Sequence, residues 1–199
     1  MAVTRTRANA EGELGSAAQR DRQKRILDAT LSLASKGGYD AVQMRAVAER
    51  ADVALGTLYR YFPSKINLLV CALAREFGRT QERLSKSPIP GDSPYERMVY
   101  VLRRTTKAMQ RDPMLTEAMT RAFMFADPSA ATEVNQVAKQ METLFTKAMH
   151  DGEPSADDKA IARVIGDVWL SSLITWVTRR ASADDVSDHL ELAARLLLG

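Results

Sequence analysis

With 199 residues, 45% of them apolar, the chain can bury a sizeable core in one large domain or two small ones. It shows no long uncharged apolar run of membrane-span length, its first 19 residues lack the apolar stretch of a secretory leader, and its one cysteine excludes an internal disulfide. A cytoplasmic protein without a membrane partner is therefore expected. The net charge of +3 is unevenly spread: residues 1–65 carry 11 Lys and Arg against 7 Asp and Glu, and the remainder 17 against 18. The basic excess lies at the N-terminal end and favours an anionic partner there.

Every segment reads as helix, so the fold class is all-α, with about nine helices and no strand. Residues 1–19 are small and polar without periodicity and are expected to form a flexible basic arm. A first helix is expected from Arg20 to Lys36, with Ile26, Thr30 and Leu33 on one face, stopped by Gly37-Gly38. Short helices follow over Met44–Ala51 and Leu55–Phe62. Ser64 then caps a helix reaching Leu84. Cys71 lies in the apolar run of that helix and reads as core filler.

The stretch Ser87-Pro88-Ile89-Pro90-Gly91-Asp92 is a linker. Ser93-Pro94-Tyr95-Glu96 combines a capping box with proline at the first helical position. Asp112-Pro113 and Asp127-Pro128 start two more helices by the same cap-then-proline logic, the second ending near Gly152. Ser155 opens a long helix to Ala181, and Ala183–Leu198 forms the last. The domain division expected is an arm over 1–19, a DNA-binding domain over 20–65, and a ligand-binding and dimerisation domain over 66–199.

The informative segment is residues 39–65, YDAVQMRAVAERADVALGTLYRYFPSK. Met44, Val47 and Ala48 make a small apolar face on a short helix. Ala51 to Ala54 is a tight connection, and Val53 and Leu58 can pack back on that face. Gly56, Thr57, Tyr59, Arg60 and Tyr61 are left mostly outward. Two short helices joined by a tight turn form a helix-turn-helix. The second offers small, aromatic and basic groups together, as a helix entering the major groove requires: small residues permit close approach, arginine donates two hydrogen bonds to guanine, and hydroxyls reach phosphates.

This segment resembles the DNA-binding signature of the TetR family of bacterial regulators. The pattern runs from Ile26 to about Leu69 and includes Gly38-Tyr39, Met44 to Ala48, Gly56-Thr57-Leu58-Tyr59, Tyr61-Phe62 and Lys65. Gln43 stands where threonine is usual, and Ala54 where serine is usual, which removes a hydroxyl that caps the recognition helix. The resemblance implies a homodimer that grips double-stranded palindromic operator DNA. It assigns Thr57 and Arg60 to base contacts and Tyr59, Tyr61, Lys65, Gln43 and Arg45 mainly to phosphates, with Leu55 and Gly56 in the same DNA-facing set. Tyr61 fits packing between helices equally well.

For the C-terminal half the resemblance covers architecture only. Met98, Met109, Met119, Met124, Phe123, Trp169 and Trp176, with Leu102 and Leu173, form a methionine- and aromatic-rich set suited to an adaptable apolar cavity. A plain helical core is the alternative for any one of them. Arg103, Arg104, Lys107 and Arg121 can meet a charged end of a ligand or serve as a solvated helix face. The long helix carries apolar residues on more than one face (Ile161, Val164, Ile165, Val168, Trp169, Leu173, Trp176, Val177), which requires burial on two sides. With Val186, Leu190, Ala193 and Leu197 of the last helix it resembles the family's four-helix dimer interface. The chain as a whole resembles members of the family that repress cholesterol catabolism. That implies a hydrophobic small-molecule inducer, a steroid-like acyl-CoA thioester; a repressor of an efflux or fatty-acid operon answering another hydrophobic ligand is the alternative.

Two other classes compete. An enzyme would need a site, but the only histidines, His150 and His189, stand apart from any cysteine or carboxylate cluster at metal spacing, and no glycine-rich phosphate loop is present. No cofactor, metal or catalytic residue is expected. A carrier of apolar ligands accounts for the C-terminal half but leaves residues 39–65 unexplained.

Overall fold

The computed structural model describes the backbone of residues 2–199 and the side chains of residues 17–199. Among the described residues it holds nine α-helices and no strand: α1 (Ala2–Ala41), α2 (Met44–Arg50), α3 (Leu55–Tyr61), α4 (Lys65–Leu84), α5 (Pro94–Gln110), α6 (Pro113–Met124), α7 (Ala131–Met149), α8 (Ala156–Val177) and α9 (Ala183–Leu198). The side chains of residues 1–16, most of the expected arm, lie outside the described residues. Along the backbone α1 already begins at Ala2 and not at Arg20, in a stretch rich in good helix formers such as alanine, glutamate and arginine.

Helix ends follow the sequence signals closely. Gly37 leaves helical geometry and Gly38 takes φ 64°, a left-handed conformation in which a side chain would be strained. Ser64, Ser93, Asp112, Ser155 and Ser182 each accept a backbone N–H with their side chains. Full capping boxes close at Ser155/Asp158 and Ser182/Asp185. At Ser93 the box is only half made, because the Glu96 carboxylate reaches back to the N–H of Asp92 instead. Asp127-Pro128 opens a 3-10 turn, Pro128–Ala130, before α7 starts. The long helix stops at Val177, short of Ala181, because Arg179 turns left-handed at φ 59°.

One apolar core runs through both halves. Ile26, Ala29, Thr30 and Ala34 of α1 are buried, and α1 packs most extensively on α6, with further packing on α2 and α4. α4 continues into the second half, packing on α6 and α7, while α8 lies against α7, α9 and α6. Trp169 is the hub there. Phe77 and Phe145 present edges to it with ring centroids 5.8 Å away, and its indole N–H donates to Thr106 Oγ1 at 2.8 Å. Helix α8 is, by length and composition, apolar enough to cross a membrane, contrary to the expectation that the chain holds no such stretch. Its inner face (Ala162, Ile165, Trp169, Leu173) is buried, and its outer face keeps Val164 exposed.

Candidate functional site

The first site is the surface of α2 and α3. Val47, Ala48, Ala51 and Leu58 are buried between the two helices. Small residues there let the backbones approach closely, so the turn needs only Ala51 to Ala54. Asp52 bends it at φ 53°, and the Val53 N–H returns to the Ala48 carbonyl at 3.0 Å. Arg25 of α1 donates to the Ala51 carbonyl at 2.9 Å and fixes the turn from behind. With its interior so filled, α3 turns Gly56, Tyr59 and Arg60 outward.

Gln43, Arg45, Gly56, Tyr59 and Arg60 are exposed, Tyr59 at 47%. No atom lies within 4 Å of where a Gly56 Cβ would stand, so the backbone there is open to a close partner. Leu55 and Thr57 are half-buried at the start of α3. Ala54 supplies no side-chain cap to that helix. Tyr61 is half-buried as well; its hydroxyl accepts from Arg22 at 3.4 Å and its ring packs beside Phe62.

Lys65 begins α4, and its ammonium lies 3.7 Å from the centroid of the Tyr39 ring. The Arg121 guanidinium sits 4.4 Å from the same ring. Burial, aided by the Arg121 charge, pulls the Lys65 ammonium below the usual lysine range, with Asp40 and Glu117 opposing. The Tyr39 N–H donates to Glu117 Oε2 at 3.1 Å, and Arg121 stands 3.8 Å from both Asp40 and Glu117. This knot ties α6 to the helix-turn-helix. Sequence reasoning missed it, since its partners are 78 residues apart and share no motif. Arg121, which the sequence left open between a ligand contact and a solvated helix face, is used here instead.

The second site is a cavity of about 650 Å³ among α4, α5, α6 and α8. It shares Leu73, Phe77, Met109, Met119 and Trp169 with a second hollow of about 130 Å³ toward α7. The hollow is walled also by Thr120, Phe123, Val137, Met141, Gly166 and Leu173. The mouth of the larger cavity carries Arg83, Arg104, Lys107 and Arg111, all exposed.

Of the residues expected around a ligand, Met109, Met119, Phe123, Trp169 and Leu173 line these hollows. Met98, Leu102, Met124 and Trp176 do not. Met98 is sealed in the core. Leu102 faces only a crevice toward α9. Met124 ends α6 and is 46% exposed. Trp176 packs half-buried near the end of α8, outside both hollows. Arg103 turns to Glu191 of α9, away from the cavity. Sequence reasoning missed the α4 wall, Leu73 and Phe77, because those residues read as ordinary helix core. Burial pushes the Cys71 thiol up to about 12, as befits a packing residue.

Residues 26–70 match the family model described as bacterial regulatory proteins, tetR family, and residues 91–197 match the tetracyclin repressor-like C-terminal domain. The chain belongs to the TetR family. The HTH-type transcriptional repressor KstR of Mycolicibacterium smegmatis is 62% identical over 197 residues, 99% of this chain and 97% of the relative. The KstR repressor of Rhodococcus jostii is 68% identical over 189 residues, 95% of this chain and 88% of the relative. Among solved structures, a TetR transcriptional regulator from Rhodococcus sp. RHA1 shares 31% identity at a TM-score of 0.84, over 91% of this chain and 97% of that one. The Bacillus subtilis regulator FadR, in complex with stearoyl-CoA, shares the fold at a TM-score of 0.63 and 19% identity, over 88% of this chain and 97% of that one. With relatives named as transcriptional repressors, the chain is a DNA-binding regulator and not an enzyme.

Proposed function

We propose that the chain is a homodimeric repressor of cholesterol-catabolism genes that leaves its operator when a steroid-derived acyl-CoA thioester fills the C-terminal cavity. The observation that carries this reading is the cavity itself: an interior of Leu73, Phe77, Met109, Met119 and Trp169 opening past Arg83, Arg104, Lys107 and Arg111. An apolar body fits the interior, and a polyanionic head suits a rim where four cations outnumber the two carboxylates Glu76 and Asp112. The KstR relatives and the FadR complex with stearoyl-CoA support the choice of an acyl-CoA.

Dimerisation is assigned to the outer faces of α8 and α9, where Val164, Leu192 and Leu196 stay exposed within one subunit. A two-fold dimer places its recognition helices to enter successive major grooves, about 34–36 Å apart, on a near-palindromic operator. Thr57 and Arg60 are assigned to bases, and Gln43, Arg45, Tyr59 and Lys65 to phosphates. Tyr61 is assigned to holding α1. Helix α4 joins the two sites, since Lys65 opens it and Leu73 and Phe77 form cavity wall. A hundredfold loss of operator affinity needs only about 2.7 kcal/mol of coupling through such a lever.

The test titrates a steroid-acid CoA thioester, its free acid and cholesterol into the protein–operator complex. The thioester is expected to release DNA at the lowest concentration. Changing Arg104, Lys107 and Arg111 together to Gln should bring thioester and acid to similar potency. Release by an unrelated small polar metabolite, with none by the thioester, would overturn the steroid reading and leave the DNA-binding one intact.

A further inference from the structure

Several arginines that join helices in this protein are committed to close partners. Arg25 donates to the Ala51 carbonyl at 2.9 Å, Arg75 meets Asp28 at 2.8 Å, and Arg97 donates to the Ala148 carbonyl at 2.9 Å. Arg121 on α6 differs. Its Nη1 stands 3.8 Å from the carboxylates of both Asp40 and Glu117, beyond hydrogen-bond reach. The Arg121 side chain is 46% exposed and that of Asp40 88%. Exposed pairs of this kind contribute little and hold a side chain loosely. The planar donors of Arg121 are therefore available to an anion from outside.

The place where Arg121 is held adjoins the DNA-reading surface. Helix α6 packs more extensively on α1 than on any other element. The approach is close because Gly38 lacks a side chain: a Cβ there would meet Glu117 Oε2 at 3.0 Å and Met114 Cε at 3.4 Å. Arg121 thereby shares the Tyr39 ring with Lys65, at 4.4 Å and 3.7 Å from its centroid. The two charges act on each other, since Arg121 helps to pull the Lys65 ammonium below the usual lysine range. Asp40 and Glu117 offset that repulsion only in part. A phosphate set against both cations relieves it further.

We infer that Arg121 is a second phosphate contact, through which α6 of the C-terminal half holds the operator backbone beside Lys65. The inference rests on the assignment of Lys65 to a phosphate above. It extends the DNA footprint beyond residues 20–65, onto a helix whose Met119 and Phe123 line the ligand hollows. A backbone contact carries no base preference, so Arg121 adds affinity and register without specificity.

The experiment follows fluorescence anisotropy of the full-length dimer on an operator duplex and on an unrelated duplex, from about 50 to 200 mM salt. Arg121→Gln should weaken both duplexes alike. Across that range the unaltered protein should lose about tenfold more operator affinity than the variant, as expected for one contact removed from each half-site. Arg121→Lys keeps the charge and should keep the salt dependence. Unchanged melting temperatures show that the variants are folded. An unaltered salt dependence in Arg121→Gln overturns the inference, whatever the affinity, because a loosened Tyr39 knot weakens binding without removing a charge from the DNA. A loss confined to the operator overturns it too, as does Arg121→Lys behaving like Arg121→Gln. Lys65→Gln is measured in parallel. An unaltered salt dependence there, with a reduced one in Arg121→Gln, would overturn the Lys65 assignment and leave that of Arg121 intact.

Discussion

The DNA-reading head and the ligand cavity are built by opposite strategies. In the head, Val47, Ala48, Ala51 and Leu58 fill a small interior within a few residues of one another, and the working groups are what remains outside. In the cavity, α4, α5, α6, α7 and α8 each give several wall residues, and the working surface is a gap among them. The two glycines make the same point. A Cβ on Gly56 would meet nothing within 4 Å, whereas one on Gly166 would meet Met141 Cε at 3.3 Å and Phe145 at 3.8 Å. An outward surface is specified by a short segment, but a void exists only through the agreement of distant ones.

The sharpest way to break this comparison is to hollow each half. Trp169→Ala removes the hub of the larger half, with two edge-on aromatic contacts and the bond to Thr106, and should cost about 3–5 kcal/mol in urea unfolding. Leu58→Ala should cost about 2–5 kcal/mol and abolish operator binding, while the cavity still takes ligand. Equal damage to both functions by Leu58→Ala would mean that the halves do not work separately.

Next in size is the interface. Leu196 is 75% exposed in the subunit and Leu190 is buried at 2%. Leu196→Glu should therefore yield folded monomers by light scattering, with weak operator binding. Leu190→Glu should instead unfold the chain, because its side chain points into the core and would bury an unpaired charge. A dimeric Leu196→Glu protein would move the interface elsewhere.

On the DNA side the effects are smaller. Arg60→Ala should cost about 1–3 kcal/mol and relax preference at one base in each half-site. Lys65→Ala should weaken all sequences alike and lower the salt slope by about one. Lys65 also packs on Tyr39 beside Arg121. Tyr39→Leu should therefore shift operator affinity without removing a DNA contact; an unchanged affinity would show the α6 knot to be merely structural.

The smallest effect is electrostatic. The Ser155 hydroxyl first, then the Ser155 backbone N–H and His150, hold the Asp158 carboxyl down at about 2, below the usual aspartate range. A depressed carboxylate stabilises the fold above its unfolded value and loses that contribution as pH falls through its folded one. Asp158→Asn should therefore lower the melting temperature slightly at pH above about 4, and the gap to the unaltered protein should close toward about pH 2. A gap that persists at the acid end would remove the capping carboxylate as its cause.

How much was legible in the sequence follows the same division. Caps, prolines and the Gly37-Gly38 stop lie within a turn of the ends they set, so residue order alone placed α2, α3, α4 and α9 almost to the residue, and the starts of α5 and α6. The reading surface of α2 and α3 was legible for the same reason, since short helices joined by a tight turn leave few ways to face. Which methionine lines the cavity and which fills the core was not legible. Met98 and Met119 have the same chemistry and the same helical spacing, and only the neighbouring helices send one into solid packing and leave the other beside a gap. The same holds for Leu190 and Leu196, six residues apart on α9, one turned inward and one outward. Hydrophobicity is a property of the residue, but burial, vacancy and the meeting of Tyr39 with Lys65 and Arg121 are properties of the packed helices. They were decided only when α4, α6 and α8 closed on one another.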